Sequence, residues 1–160
     1  MNTVNLTSSN KICLPYLAPF QYVRFIFTAS RVAGIQIQKV YFYSNATKLD
    51  CSTATATSTP DVIDPHPASN LISNDLSKKY YYHMTSPLPV VVLIKFISPL
   101  SINRYSFISG NDVSDRDPKS WTVEVSSDNV NWRQVDTKQN YNMDLFRLKE
   151  TVIFPLAYTI

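Results

Sequence analysis

The sequence predicts an all-β chain folded as an antiparallel sandwich, and three observations carry that prediction. Apolar residues recur with period two or in short runs rich in Val, Ile, Phe and Tyr; no stretch of helical period exceeds about two turns; and the runs are punctuated by Pro, Asn, Asp and Ser. At 160 residues with 44% hydrophobic content, the chain has the core of one ordinary domain.

Taken in order, residues 1–20 read as an amino-terminal arm and 21–160 as the domain proper. Strands are expected at 22–28 and 35–43. From 47 to 69 the chain is rich in Thr, Ser, Ala and Pro with little to bury, which predicts a long surface loop, either a solvated connection or a contact arm for a partner. A strand at 79–84 would put Tyr80 and Tyr82 on one side and Tyr81 and His83 on the other. Val90-Val91-Val92-Leu93-Ile94 is apolar at both parities, so the strand at 90–96 belongs in the interior of a sheet, covered on both faces or lying under a long loop. After a strand at 103–108, the clearest alternation lies at 121–126. There Trp121, Val123 and Val125 face a core while Thr122, Glu124 and Ser126 face water. Asp128 and Asn129 supply the left-handed turn conformations that open a hairpin into 132–136. A last strand at 151–154 completes seven or eight short strands, the number of a sandwich.

Several function classes are excluded by composition. Gly34 and Gly110 are the two glycines of the chain, so the Gly-rich loops that cradle phosphates cannot be built. The formal charge of +3 is scattered and gives no electrostatic footprint for nucleic acid. Cys13 and Cys51 allow one bridge at most and no cysteine zinc site. His66 and His83 lack the spacing of a helical metal pair. The start of the chain has neither the basic residues nor the unbroken apolar stretch of a secretory signal, and no apolar run reaches membrane-spanning length. The sequons at Asn5 and Asn45 would matter only after export. Gly-x-Ser-x-Gly is absent and neither histidine sits in a catalytic context, so no enzymatic activity is expected.

The segment from Tyr105 to Trp132 is dense with a recognisable order. A strand ends in Asn111-Asp112, then come Arg116-Asp117-Pro118, the Trp121 strand, the turn Ser127-Asp128-Asn129 and Trp132. This order resembles the discoidin, or coagulation-factor type C, family of galactose-binding-like β-sandwiches, with weaker echoes from about residue 20 to residue 158. Asn129-Val130 stands where that family usually has Asp-Gly. The resemblance implies an antiparallel jelly roll, a binding scaffold rather than a catalytic one, with loops at one end that recognise glycans, lipid surfaces or proteins. It also implies an edge that the amino-terminal strands or a neighbouring chain would complete.

Trp121 and Trp132 are expected to close the core, and Arg116 to pin its loop by pairing with Asp112 and Asp117. Lys78, Lys79, Tyr81 and His83 are the candidate ligand-binding residues, offering a flat ring and cations to a hydroxylated or anionic ligand. Asn74 and Asp75 would supply the oxygens if calcium, the one cofactor considered, were bound. The expected function is a non-catalytic binding and assembly module, a structural or decorating part of a large particle such as a virion, with other protein subunits as partners. The alternative is a lectin-like module whose tip loops bind surface glycans.

Overall fold

A computed structural model describes residues 17–32, 34–61, 65–83, 88–143 and 146–157 of the chain. Its strands are β1 (Phe20–Ala29), β2 (Ile35–Ile37), β3 (Lys39–Ser44), β4 (Thr47–Lys48), β5 (Thr55–Thr59), β6 (Tyr80–Tyr82), β7 (Val90–Leu100), β8 (Arg104–Ile108), β9 (Ser120–Ser126), β10 (Arg133–Lys138) and β11 (Phe154–Pro155). Short 3₁₀ turns occur at Ala68–Leu71 and Ser114–Arg116. One antiparallel sheet runs β10-β9-β1-β7-β5, a second runs β11-β8-β3-β4, and β2 and β6 form a separate ribbon.

Alternation builds the core that joins the two sheets. In β1, Val23, Phe25 and Phe27 are buried while Tyr22, Arg24 and Ile26 are half-buried on the outer face. Phe25 meets Tyr105 and Phe107 of β8 at ring distances of 5.4 and 5.3 Å. Phe107 in turn lies 5.5 Å from Trp121. Trp121, Val123 and Val125 face inward, as the alternation requires. The indole N–H would be costly to bury alone; it donates to the Tyr105 hydroxyl at 2.7 Å, which donates to Asp136 Oδ2 at 2.7 Å. Burial, with the Asp136 charge behind it, pushes the Tyr105 phenol far above its ordinary pKa, so the chain of donors stays intact through any physiological pH.

β7 is an interior strand between β1 and β5. Its two apolar parities are not covered equally. Val90, Val92 and Ile94 are buried, whereas Val91 and Leu93 lie half-covered on the outer face, opposite Ile26 and Arg24. The segment 35–43 is two strands rather than one: Gln38 breaks the run, sending its side-chain amide to the carbonyls of Leu76 and Lys78 at 2.6 and 2.9 Å. The expected loop at 47–69 is corrected most. Thr55–Thr59 forms edge strand β5 on β7, with Ser58 turned inward and Thr55, Thr57 and Thr59 outward. A polar alternation of Thr with Ala or Ser fits an edge whose outer face is wet.

Leu17 and Phe20 are buried in the core, so the sandwich begins before residue 21; residues 1–16 of the expected arm, with Asn5 and Cys13 among them, and Met84 lie outside the described residues. Cys51 is buried, and burial pushes its thiol up to about 11. Trp132 does not close the core. It is half-buried on the outer face of the five-stranded sheet, with the Arg24 guanidinium 4.2 Å above its ring and Glu124 holding that arginine. The hairpin residues displace it outward because β10 begins only at Arg133.

The turn before Trp132 is organised by Asp128. Its carboxylate accepts from the backbone of Val130 and Asn131 at 2.9 and 2.8 Å, from the Asn131 amide and from Ser126 Oγ, while Asn129 takes φ 62°. Those donors hold the Asp128 carboxyl far below the usual carboxylate range. A depressed folded-state pKa gives stability that is present above the unfolded value, about 3.9, and is lost as pH falls through the folded value. Asp128→Ala is therefore expected to flatten the acid limb: its urea midpoint should fall less steeply than that of the wild type between about pH 5 and pH 2.

Candidate functional site

The end of the sandwich where β1 finishes and β7 and β9 begin gathers the loop residues 30–32, 65–79, 109–119, 139–143 and 146–149. The Asp115 carbonyl accepts from the backbone N–H groups of Arg31 and Val32 at 3.0 and 3.1 Å, and the Ala29 carbonyl accepts from Lys119 at 2.8 Å. The Arg147 guanidinium grips Asp117 with two bonds of 3.0 and 2.6 Å. Asp117 is only 5% exposed. Burial raises its carboxyl pKa, and Arg147 opposes that rise. The expected partner Arg116 does not touch Asp117: its guanidinium approaches Asp112 at 3.9 Å and lies 4.5 Å over the Tyr81 ring.

Lys79 is the second anchor. It is 7% exposed, and its ammonium donates to Gln36 Oε1 at 3.2 Å, Asn111 Oδ1 at 2.9 Å and Asp112 Oδ2 at 2.7 Å. A lysine with three acceptors in place is a strut, so it is corrected from a ligand-facing cation to a loop-holding one. Burial alone would raise the Asp112 carboxyl, but the Lys79 bond and charge, with Arg116 behind them, hold it below the usual range. Both glycines of the chain belong to this arrangement. A Cβ on Gly110 would lie 2.6 Å from Gln36 Cδ, and Gln36 is pinned by the Val113 carbonyl. Gly34 takes φ 117°, with a Cβ position 2.9 Å from the Tyr82 carbonyl and 3.0 Å from the Tyr81 ring.

Tyr80 and Tyr82 are buried, while Tyr81 and His83 share the other face of the ribbon. Tyr81 meets His66 and His83 by their ring edges at 6.0 and 5.8 Å. Beside it opens a cleft of about 500 Å³ lined by Pro65, His66, Pro67, Ser69, Asn70, Ser77, Lys78, Lys79 and Asn111. Asn70 braces the walls by donating to the carbonyls of Pro65 and Lys79 at 3.2 and 2.8 Å. Lys78 lines this cleft, Tyr81 adjoins it through the ring of His66, and His83 touches Tyr81 from outside the lining; Lys78 is exposed and 3.7 Å from Asp75.

The oxygens proposed for calcium are engaged within the chain. Asp75 accepts from Ser77 N and Oγ at 2.9 and 2.6 Å, which holds its carboxyl below the usual range. Asn74 Oδ1 faces the Lys39 ammonium at 3.4 Å, and the same ammonium donates to the Ser73 carbonyl. Burial lowers the Lys39 pKa. Among the described residues no group of three or more His, Cys, Asp or Glu gathers as a metal site.

The sequence reading missed the apolar part of this end. Val32, Val113, Phe146 and Leu148 expose 47, 45, 69 and 54% of their surface on three loops. These loops are cross-linked by the Asp115 carbonyl, by Gln36 on Val113, and by a bond of 3.4 Å from Leu148 N–H to the Gly110 carbonyl. A second cleft, about 650 Å³, runs beside Phe146 between Tyr141, Met143 and Val152. Leu148 takes φ 56°, a left-handed conformation that costs a bulky L-residue roughly 1 kcal/mol or more. The one signal for it in the sequence was Phe146 and Leu148, two large apolar residues on either side of Arg147 outside any expected strand.

No protein-family model, no curated protein and no solved structure matches the chain. Among the described residues no helix is long and apolar enough to cross a membrane.

Proposed function

We propose that the protein is a non-catalytic binding and assembly module, a discoidin-type jelly roll that docks by its loop end onto another protein subunit of a large particle such as a virion. The observation that carries this reading is Leu148: a leucine held at positive φ with half its surface in water. Strain of that kind persists where the surroundings impose it, and an exposed apolar side chain gains nothing from it in the isolated chain. Val32, Val113 and Phe146 extend the apolar surface, and the Asp117–Arg147 and Lys79 anchors beneath it support a preorganised face. The two imidazoles meet the edges of Tyr81 rather than a nucleophile and an acid, which favours binding over chemistry.

Cosedimentation with the particle fraction of the source tests this. Leu148→Asn relieves the strain, because Asn tolerates the left-handed region. It is expected to leave stability unchanged or improved while weakening cosedimentation by about 10-fold or more, as loss of a central apolar contact does. Ile97→Asn, at the other end of β7, should bind as wild type does. Equal binding by all three proteins would overturn the reading.

The cleft beside Tyr81 favours a second reading, a lectin-like module for surface glycans. Ser69, Ser77, Asn111, His66 and Lys78 offer hydroxyl, amide, imidazole and ammonium groups around a cleft of about 500 Å³. Retention on a glycan column that is lost in Lys78→Ala and kept in Leu148→Asn would support it over docking to protein.

A further inference from the structure

We propose that β5 is a strand-addition edge, on which a second copy of this chain pairs antiparallel about a two-fold axis at Thr57. The two edges of the five-stranded sheet differ in how they are guarded. β10 carries Arg133, Asp136 and Lys138, and its register on β9 shifts between Gln134 and Asp136. Charges and a bulge are the devices that keep an edge from pairing further. β5 has neither: Thr55-Ala56-Thr57-Ser58-Thr59 is uncharged, and it pairs with β7 in unbroken register from Thr55↔Lys95 to Thr59↔Val91. Among the described residues, β7 is its only sheet partner, although the 3₁₀ turn Ala68–Leu71 also packs against β5. In the other sheet, the edge strands β4 and β11 have two residues each, too short to template a partner.

The occupant follows from the sequence of the edge. Paired antiparallel about Thr57, β5 sets Thr57 against Thr57, Thr55 against Thr59 and Ala56 against Ser58. Every position then meets a residue of similar size, and no charge meets its like. Threonine pairs across antiparallel strands are favourable, and the outward threonines are all exposed. The product is one continuous sheet through both copies. Because the strands run in opposite directions, the two loop ends point away from each other. On the docking reading, with which this inference is consistent but on which the pairing does not depend, such a dimer is a two-headed connector between neighbouring subunits.

Charge exchange at the axis tests the pairing by light scattering on the full chain. The wild type should elute at twice 18.2 kDa. Thr57→Lys and Thr57→Glu each oppose their own charge across the axis and should elute as monomers, whereas an equimolar mixture of the two should recover the dimer. Thr57 is exposed, so neither change disturbs the core, and circular dichroism of each variant checks that. A monomeric wild type overturns the proposal, including the case in which the chain's own first 16 residues cover β5. So does a dimer that survives either single change. Leu148→Asn should remain dimeric, so loss of docking with the dimer intact would fault the strand pairing in no way, and loss of the dimer in Thr57→Lys with single-headed docking retained would leave the loop-end reading standing.

Discussion

Arg147→Met should destabilise the fold by about 3–5 kcal/mol, the cost of stripping a buried carboxylate of its partner. Methionine keeps most of the aliphatic stem, so packing loss is small, and the charge is what disappears. Asp117, 5% exposed and held by two bonds from that guanidinium, would then face burial with only the weaker opposition of Gln36 and Arg31. Its folded pKa, already raised by burial, would rise further. A carboxyl with a raised folded pKa binds its proton more tightly in the folded than in the unfolded chain, so stability falls as pH rises through that interval. The deficit of Arg147→Met should therefore be smaller at pH 4 than at pH 7. In the double variant with Asp117→Asn, urea unfolding should recover much of the loss, since no buried charge is left unpaired. Equal deficits in the single and double variants would mean that Arg147 contributes through packing and not through the pair.

Trp121→Ala should cost a comparable amount, about 3–5 kcal/mol, as removal of a fully buried large side chain does. Trp121 is 0% exposed and joins Phe107, Tyr141 and Phe154, at ring distances of 5.5, 5.5 and 5.7 Å. Those rings belong to β8, β11 and the loop that follows β10, so the cavity would lie where the two sheets meet. Trp121→Phe refills most of the space but removes the donor to the Tyr105 hydroxyl; its deficit should be smaller, about 1–2 kcal/mol. Guanidinium unfolding of the two variants separates volume from hydrogen bonding. A loss below about 1 kcal/mol in Trp121→Ala would contradict a core centred on this residue.

The all-β antiparallel architecture was legible wherever burial alternates. Trp121, Val123 and Val125 alternate because β9 has a neighbour on each side and one face on the core, and that one-sided burial is what period two records. β5 was illegible for the opposite reason. It is an edge with one inward Ser and outward threonines, so its pattern carries no apolar signal and its pairing is fixed by β7. Trp132 misled because a large aromatic after a hairpin reads as core, whereas a cation above its ring makes a half-buried position tolerable.

At the loop end, Tyr81 and Lys78 could be singled out from a local run, and local reading was enough to bring them near one cleft. Lys79 stands between them in the same run but is buried, because its acceptors Gln36, Asn111 and Asp112 are supplied by residues 43, 32 and 33 positions away. Arg147 reaches Asp117 across 30 positions, and nothing in either neighbourhood records that distance. Arg116, one residue from Asp117, was the partner that proximity in sequence suggested. The preference for Arg147 is decided by the loops, which turn Arg116 toward Asp112 and the Tyr81 ring instead.

Amide hydrogen exchange of the particle-bound chain tests the docking claim most directly, because it reads the covered surface without altering any residue. Binding should slow exchange at 30–32, 110–117 and 146–149, the three loops that expose Val32, Val113, Phe146 and Leu148, and leave the turn at 127–131 unchanged. Protection confined to that turn and to β10, with the three loops exchanging as in the free protein, would contradict it.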